Sequence, residues 1–344
     1  MMVQDIIDGI KNKDIKSLAR AISWIEKERE EGIELIRNIY PYQKEETHII
    51  GITGFAGVGK STLSSRIIEK YRSMGKTVGV VAIDPSSPFT GGALLGDRLR
   101  LGSLSLGSSM WTDPGVFYRS VSNRGRMGGL SRMTGDIITI MSVFGFDKII
   151  IETVGAGQSE VDVIKIADTS VVVLMPGMGD RVQFAKAGIL EIADIFVVNK
   201  SDLVGAERVR QFLEEMLNFT DYRKGERRDG TSEEWKIPIV MTIGEYNNLK
   251  GIDELVQKID EHFDYLVSTG RLKEVRKKRA KSEIETLVSD IVVSLCYKNH
   301  SVDLDEFAKK VSNKKIDQYT AAEKIIEKTM TENDIVNLNT SHYL

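Results

Sequence analysis

Cysteine is nearly absent from this sequence: Cys296 is the single one in 344 residues. No intramolecular disulfide can form, which fits a reducing compartment and excludes a small stapled scaffold. Histidine is also scarce, at His48, His262, His300 and His342. Four dispersed imidazoles and one thiol do not suggest a His/Cys metal cluster within the chain. There is no excess of either charge, since Lys+Arg 47 against Asp+Glu 50 leaves a net −3. A global positive field that would draw the chain onto nucleic acid is therefore missing. No apolar run approaches the roughly 20 residues that cross a bilayer. The opening MMVQDIIDGIKNKDIK places charges where a secretion signal needs an unbroken apolar stretch. These absences lead us to expect a cytoplasmic protein with neither a nucleic-acid nor a membrane partner.

What is present is ordinary globular material, 41% hydrophobic and 28% charged, enough for a large α/β domain with appendages. Residues 1–45 are helical in pattern. In SLARAISWIEKE, Leu18, Ala21, Ile22 and Ile25 recur at three- and four-residue spacing, and a second run, GIELIRNIY, begins at Gly32. A helical pair is expected there. From residue 46 to 268 the period changes to short β-branched runs: HIIGIT, VGVVAI, KIIIET, SVVVLM, IFVVNK and IPIVM. Amphipathic stretches separate most of them, a pattern that predicts a mostly parallel sheet covered by helices. Residues 269–344 return to helical periodicity, with Ile284, Val288, Ile291 and Leu295 on one stripe. The basic run Arg276-Lys-Lys-Arg279 reads as a solvated helix face in preference to an acidic-partner site.

The stretch from Gly54 to Ser61 fits G-x-x-x-x-G-K-[ST] without a mismatch, after a predicted strand and before a predicted helix. Gly54, Ala56, Gly57, Val58 and Gly59 form the loop whose backbone N–H groups would face phosphate oxygens. Lys60 should reach the β- and γ-phosphates, Ser61 should ligate Mg²⁺, and Thr62 continues the first helical turn. A dinucleotide fingerprint starting at Gly57 fails, because Thr62 stands where a third glycine is needed. The chain thus reads as a P-loop NTPase.

The base is read from Asn199-Lys200-Ser201-Asp202, an N-K-x-D string at the end of a late strand. A carboxylate at Asp202 accepts from guanine N1–H and the exocyclic amine together, which adenine cannot offer. Asn199 would face the N7 and O6 edge. GTP and GDP are the expected nucleotides. Asp84 ends one strand, where a carboxylate lies near the metal; a turn aspartate before proline is the plainer alternative. Asp97 reads equally as a helix cap. Glu152 opens Glu152-Thr-Val-Gly155, comparable to D-x-x-G, whose glycine senses the γ-phosphate. Gln158 could orient the attacking water, and an exposed loop glutamine is an equal reading.

The succession GFAGVGKST, AIDPSSPFTGGALLGDRLRL, FYRSVSNRGRMGGLS, IIIETVGAGQSEVDV and LMPGMGDRVQFAKAGILEIADIFVVNKSD resembles the MeaB/ArgK family of P-loop GTPases over about residues 15–270. Members of that family chaperone adenosylcobalamin-dependent acyl-CoA mutases, methylmalonyl-CoA mutase above all. The resemblance implies phosphate and Mg²⁺ roles for Lys60 and Ser61. It implies magnesium and switch roles for Asp84, Asp97 and Glu152, and guanine reading by Asp202. It implies a third switch in PGMGDRVQFAKAG, with Lys186 at a matching lysine, and a homodimer built through the C-terminal helical extension.

Departures from the family form are Ala56 in place of proline, Arg181 and Phe184 in the third switch, and Gly244-Glu245 where a serine-alanine guanine contact is usual. The expected function is GTP hydrolysis that gates cofactor loading or protects such a mutase. Three alternatives stay open: a kinase of the transport-system type, a metal-delivery GTPase, and a non-hydrolysing binding module.

Overall fold

The computed structural model describes residues 2–84, 113–122, 129–153, 166–177, 192–223, 235–244 and 249–329. Three helices come first: α1 Val3–Lys11, α2 Ile15–Glu26 and α3 Glu30–Ile39, closed by a short 3-10 turn at Tyr40–Tyr42. Asp14 caps α2, accepting from the N–H groups of Lys16 and Ser17 at 3.2 and 2.9 Å. The expected helical pair is thus a triplet. Its first member buries Ile6, Ile7 and Ile10 within only nine residues, too few to show a repeated stripe.

The sheet and its helices follow as β1 His48–Gly54, α4 Lys60–Ser73, β2 Val78–Asp84, β3 Val116–Ser122, α5 Gly129–Phe144, β4 Lys148–Thr153, β5 Thr169–Leu174, β6 Ile195–Asn199, α6 Ala206–Arg223, β7 Ile239–Thr242 and α7 Ile252–Ser268. The seven strands lie in the order β3-β2-β4-β1-β5-β6-β7, and every pairing is parallel. Neighbouring residues face opposite sides, as the pleat requires. Ile50 and Ile52 pack with Leu63, Ile67 and Ile259 of α4 and α7, whereas Ile49 and Ile151 pack with α5 and the N-terminal helices. A third cluster joins Val172, Phe196 and Val198 to α6 through Leu213. Burial on both faces explains why the strands read as unbroken apolar runs.

Strand β3 lay outside the sequence expectation. It is an edge strand, VFYRSVS, and its face pattern is interrupted by Arg119, which donates from Nε to Glu26 Oε1 of α2 at 2.9 Å. An ion pair replaces apolar packing at that point, so the β signal is diluted.

Beyond α7 the chain turns at Gly270 into α8 Arg271–Ser312, a 42-residue helix, and then α9 Gln318–Thr329. The basic run at the start of α8 divides: Lys277 and Lys278 are exposed, as a solvated face would have them, whereas its two arginines are half-buried. Arg276 donates to both carboxylate oxygens of Asp168 at 3.2 and 2.9 Å, and to the carbonyls of Glu45 and Thr47 at 2.9 and 2.8 Å. Arg279 donates to Ile166 O at 2.5 Å and lies 3.7 Å from Asp168. Asp168 is fully buried and also accepts from Ile49 N–H at 3.1 Å. Two guanidiniums therefore fasten the base of α8 to the amino-terminal edge of β1 and β5. Further along, Ile284 and Val288 are exposed. No helix among the described residues is long and apolar enough to cross a membrane.

Candidate functional site

Parallel strands collect loops at their carboxyl ends, and the described candidate residues gather there. β1 runs straight into the phosphate loop. Gly54 has φ +148°, and a Cβ there would stand 2.2 Å from Val173 O of the adjoining β5, so only glycine lets the chain leave the sheet at this point. Val58 is wholly buried and pins the loop, while Ala56 and Gly57 are exposed on its outer side. Gly59, with φ +90°, precedes α4, and its missing Cβ is what admits Asn199 Nδ2, which would otherwise lie at 2.5 Å. The first turn of α4 then presents Lys60, Ser61 and Thr62 at a helix N-terminus, an electropositive edge suited to phosphate.

Lys60 is buried, and its ammonium donates to the carbonyls of Gly54 and Phe55 at 2.5 and 2.9 Å. The cation thus sits directly over the loop. Ser61 donates its hydroxyl to Oε1 of Glu152, the buried penultimate residue of β4. Glu152 pairs in register with Ile52 of β1 and Ala82 of β2, two residues before Asp84 at that strand's end. Next to it, Thr153 donates its hydroxyl to Thr53 Oγ1 at 3.1 Å, tying β4 to β1.

A hydroxyl against a buried carboxylate is a hard-oxygen donor set, the kind Mg²⁺ takes. Among the described residues, no group of three or more His, Cys, Asp or Glu could hold a metal ion by itself.

On the other side of the loop, β6 ends at buried Asn199. Its Nδ2 donates to Val58 O at 2.9 Å, and its Oδ1 accepts from Thr242 Oγ1 of β7 at 3.0 Å. The carboxamide therefore ties the glycine-rich loop to the ends of β6 and β7. Lys200 adopts φ +54° and donates from Nζ to Gly57 O at 3.0 Å, which lays its stem along the loop. Ser201 N–H donates to Thr242 O at 3.1 Å, and Leu203 N–H to Lys200 O at 3.0 Å. The turn so formed leaves Asp202 exposed. Gly244 lies across the cleft, where a Cβ would contact Thr62 Cγ2 at 3.4 Å and Asn199 Oδ1 at 3.9 Å.

The structure thus brings Lys60, Ser61 and Glu152 together on one side of the loop, with the end of β2 in register nearby. It brings Asn199, Lys200 and Gly244 together on the other. Asp97, Gln158, Arg181, Phe184, Lys186 and Glu245 lie outside the described residues. Thr242 and Arg66 escaped the sequence reading. Thr242 is a strand-terminal threonine with no local mark. Arg66 could have been flagged, because it stands three residues after buried Leu63 on α4, where an apolar side chain is expected.

Comparison with known proteins supplies context. The profile of the family described as methylmalonyl Co-A mutase-associated GTPase MeaB matches residues 18–301. A protein of Pyrococcus abyssi named as a GTPase is 45% identical over 327 residues, 95% of this chain and 96% of that protein. GTPase ArgK of Escherichia coli is 30% identical over 304 residues, 86% of this chain and 87% of that one. The mitochondrial methylmalonic aciduria type A homolog of Mus musculus is 31% identical over 307 residues, covering 85% of this chain and 70% of that protein. Among solved structures, one described as a LAO/AO transport system kinase superposes with a TM-score of 0.65 at 22% identity. It covers 96% of this chain and 98% of its own, a likeness that bears on the fold alone.

Proposed function

This chain belongs to the MeaB family, the methylmalonyl-CoA mutase-associated GTPases, and on that premise we propose that its GTP turnover times an interaction with an adenosylcobalamin-dependent acyl-CoA mutase. In this reading the hydrolysis cycle gates cofactor loading or protects the mutase. The observation that carries the switch half of the reading is the contact between Ser61 and buried Glu152. The residue that opens Glu152-Thr-Val-Gly155 also touches the hydroxyl expected on the metal, so one carboxylate belongs to both the phosphate side and the sensing segment.

The roles follow from chemistry. Lys60 holds positive charge over the loop and stabilises the charge that develops on the β- and γ-phosphates. Ser61 with Asp84, Asp97 and Glu152 would hold Mg²⁺, which when bound neutralises the phosphate oxygens. Gln158 orients the attacking water. Asp202 reads guanine, and the stem of Lys200 lines the base side of the loop. The mutase assignment rests on the family and on the relative named for methylmalonic aciduria. A homodimer through α8 suits exposed Ile284 and Val288, which stand four residues apart on one helix face.

GTP labelled on its γ-phosphate tests the first step: label must appear as free phosphate and disappear in Lys60→Ala. Label on a small acceptor or on a protein would instead make the chain a kinase. Capture of proteins by the full chain in GDP, and separately in a non-hydrolysable GTP analogue, tests the second step. A cobalamin-dependent acyl-CoA mutase retained in one nucleotide state supports the reading, and a mutase retained in neither state overturns it.

A further inference from the structure

Arg66 is a buried charge in this domain that the hydrolysis reading does not use. It stands on α4, two turns beyond the phosphate loop, with 4% of its side chain exposed. A guanidinium keeps its charge when buried and must find acceptors. One acceptor is Glu69, a turn further on, at 2.8 Å. Another is the carbonyl of Gly244, to which Arg66 Nε donates at 3.3 Å. The second contact crosses from the phosphate-loop helix to the segment that follows β7.

That segment is closed at its far end by a two-way pair, Ile243 N–H to Lys250 O at 3.0 Å and Lys250 N–H to Ile243 O at 3.1 Å. Gly244 lies just inside the closure and beside Asn199 and Thr62, where the base side of the cleft begins. A glycine peptide rotates more freely than any other. Its direction matters there, because guanine presents the O6 acceptor at the edge where adenine presents an amino donor. A carbonyl turned toward the base would accept from adenine and repel guanine. A carbonyl held onto Arg66 can do neither.

We propose that Arg66 is a positioning residue for base selection: by holding the Gly244 carbonyl against α4 it keeps an adenine-compatible acceptor out of the cleft. The inference rests on the guanine reading of Asp202 and Asn199. Arg66 acts through the Gly244 carbonyl, so its effect is expected on discrimination between bases.

The test uses the full chain and equilibrium titration with GTP, ATP and xanthosine triphosphate. Arg66→Gln is expected to lower the ratio of GTP to ATP affinity about tenfold, the size of one charge-assisted hydrogen bond. Arg66→Lys keeps the charge but has no Nε–H at that place, and should lower the ratio about threefold by the same argument. It reads the same quantity should Arg66→Gln fail to fold. Glu69→Gln breaks the ion pair and spares the Gly244 contact, so its ratio should match the wild type. An unchanged ratio in both Arg66 variants overturns the proposal. So does an equal fall in both affinities, or a shift in Glu69→Gln as large as that in Arg66→Gln. Asp202→Asn separates this from failure of the underlying reading, because an amide can donate to the 2-carbonyl of xanthine. If that variant does not move preference from GTP to xanthosine triphosphate, the guanine site itself is wrong. If it does and the Arg66 ratios stand still, Arg66 alone is misassigned.

Discussion

Thr242 donates to Asn199, and Asn199 donates to Val58 O, so a buried polar chain runs from β7 through β6 into the phosphate loop. Removing the first donor strands an acceptor in a dry place. Thr242→Val is therefore expected to destabilise the fold by about 1–3 kcal/mol, read as a lower denaturant midpoint at unchanged slope. Asn199→Ala should cost a similar amount and weaken GTP binding as well. The double variant should lose less than the sum, because both changes cut one chain. At this scale the phosphate loop was legible because eight neighbouring positions state its chemistry in order. The Thr242 contact to Asn199 and the Arg66 contact to Gly244 were not, because these partners stand 43 and 178 residues away. Asn199 is named by its motif, but its grip on Val58 is visible only once β6 and the loop lie side by side.

At the scale of elements, strands buried on both faces announced themselves, and those that lean on polar partners did not. β3 is held by Arg119 on Glu26 of α2 as well as by its apolar residues, which spoils the alternation by which a strand is recognised. The base of α8 is the sharper case. A sequence of four basic residues carries no sign of which ones meet a buried carboxylate, and here Arg276 and Arg279 do, while Lys277 and Lys278 between them are exposed. Arg276→Gln in the full chain removes the closer partner of Asp168 and is expected to cost about 3 kcal/mol, because it leaves a buried charge undercompensated. Hydrogen exchange should quicken first in the opening turns of α8. Asp168→Asn with Arg276→Gln should recover part of the loss, since the stranded charge is then gone. No recovery would mean that the carbonyl contacts to Glu45 and Thr47 carry the clamp.

Across the whole molecule, α5 is the piece that the ends of the chain share. It packs against α1, α2 and α3 on one side and against α8 on another, so the amino-terminal helices and the carboxyl-terminal arm meet through it. No stretch of sequence states that junction, because apolar stripes say only that a helix is covered and not by what. Asp136 sits at the junction, and burial raises its pKa to about 7, with Glu283 of α8 adding to the rise and Arg132 opposing it. Burial raises Glu283 as well, and Arg279 opposes it. The folded chain therefore holds a proton on Asp136 that the unfolded chain releases near the ordinary value of 3.8. Between those two values the native state binds more protons, so this contribution to stability is full at acid pH and is lost as pH rises toward about 7. Asp136→Asn cannot ionise. The stability of Asp136→Asn relative to the wild type should then increase as pH is raised from about 5 to about 8, measured as urea midpoints of the two proteins side by side. The change should flatten above pH 8, where the wild-type carboxyl is already charged. A constant difference across that range would place Asp136 in water and remove the acidic pair from the contact between α5 and α8.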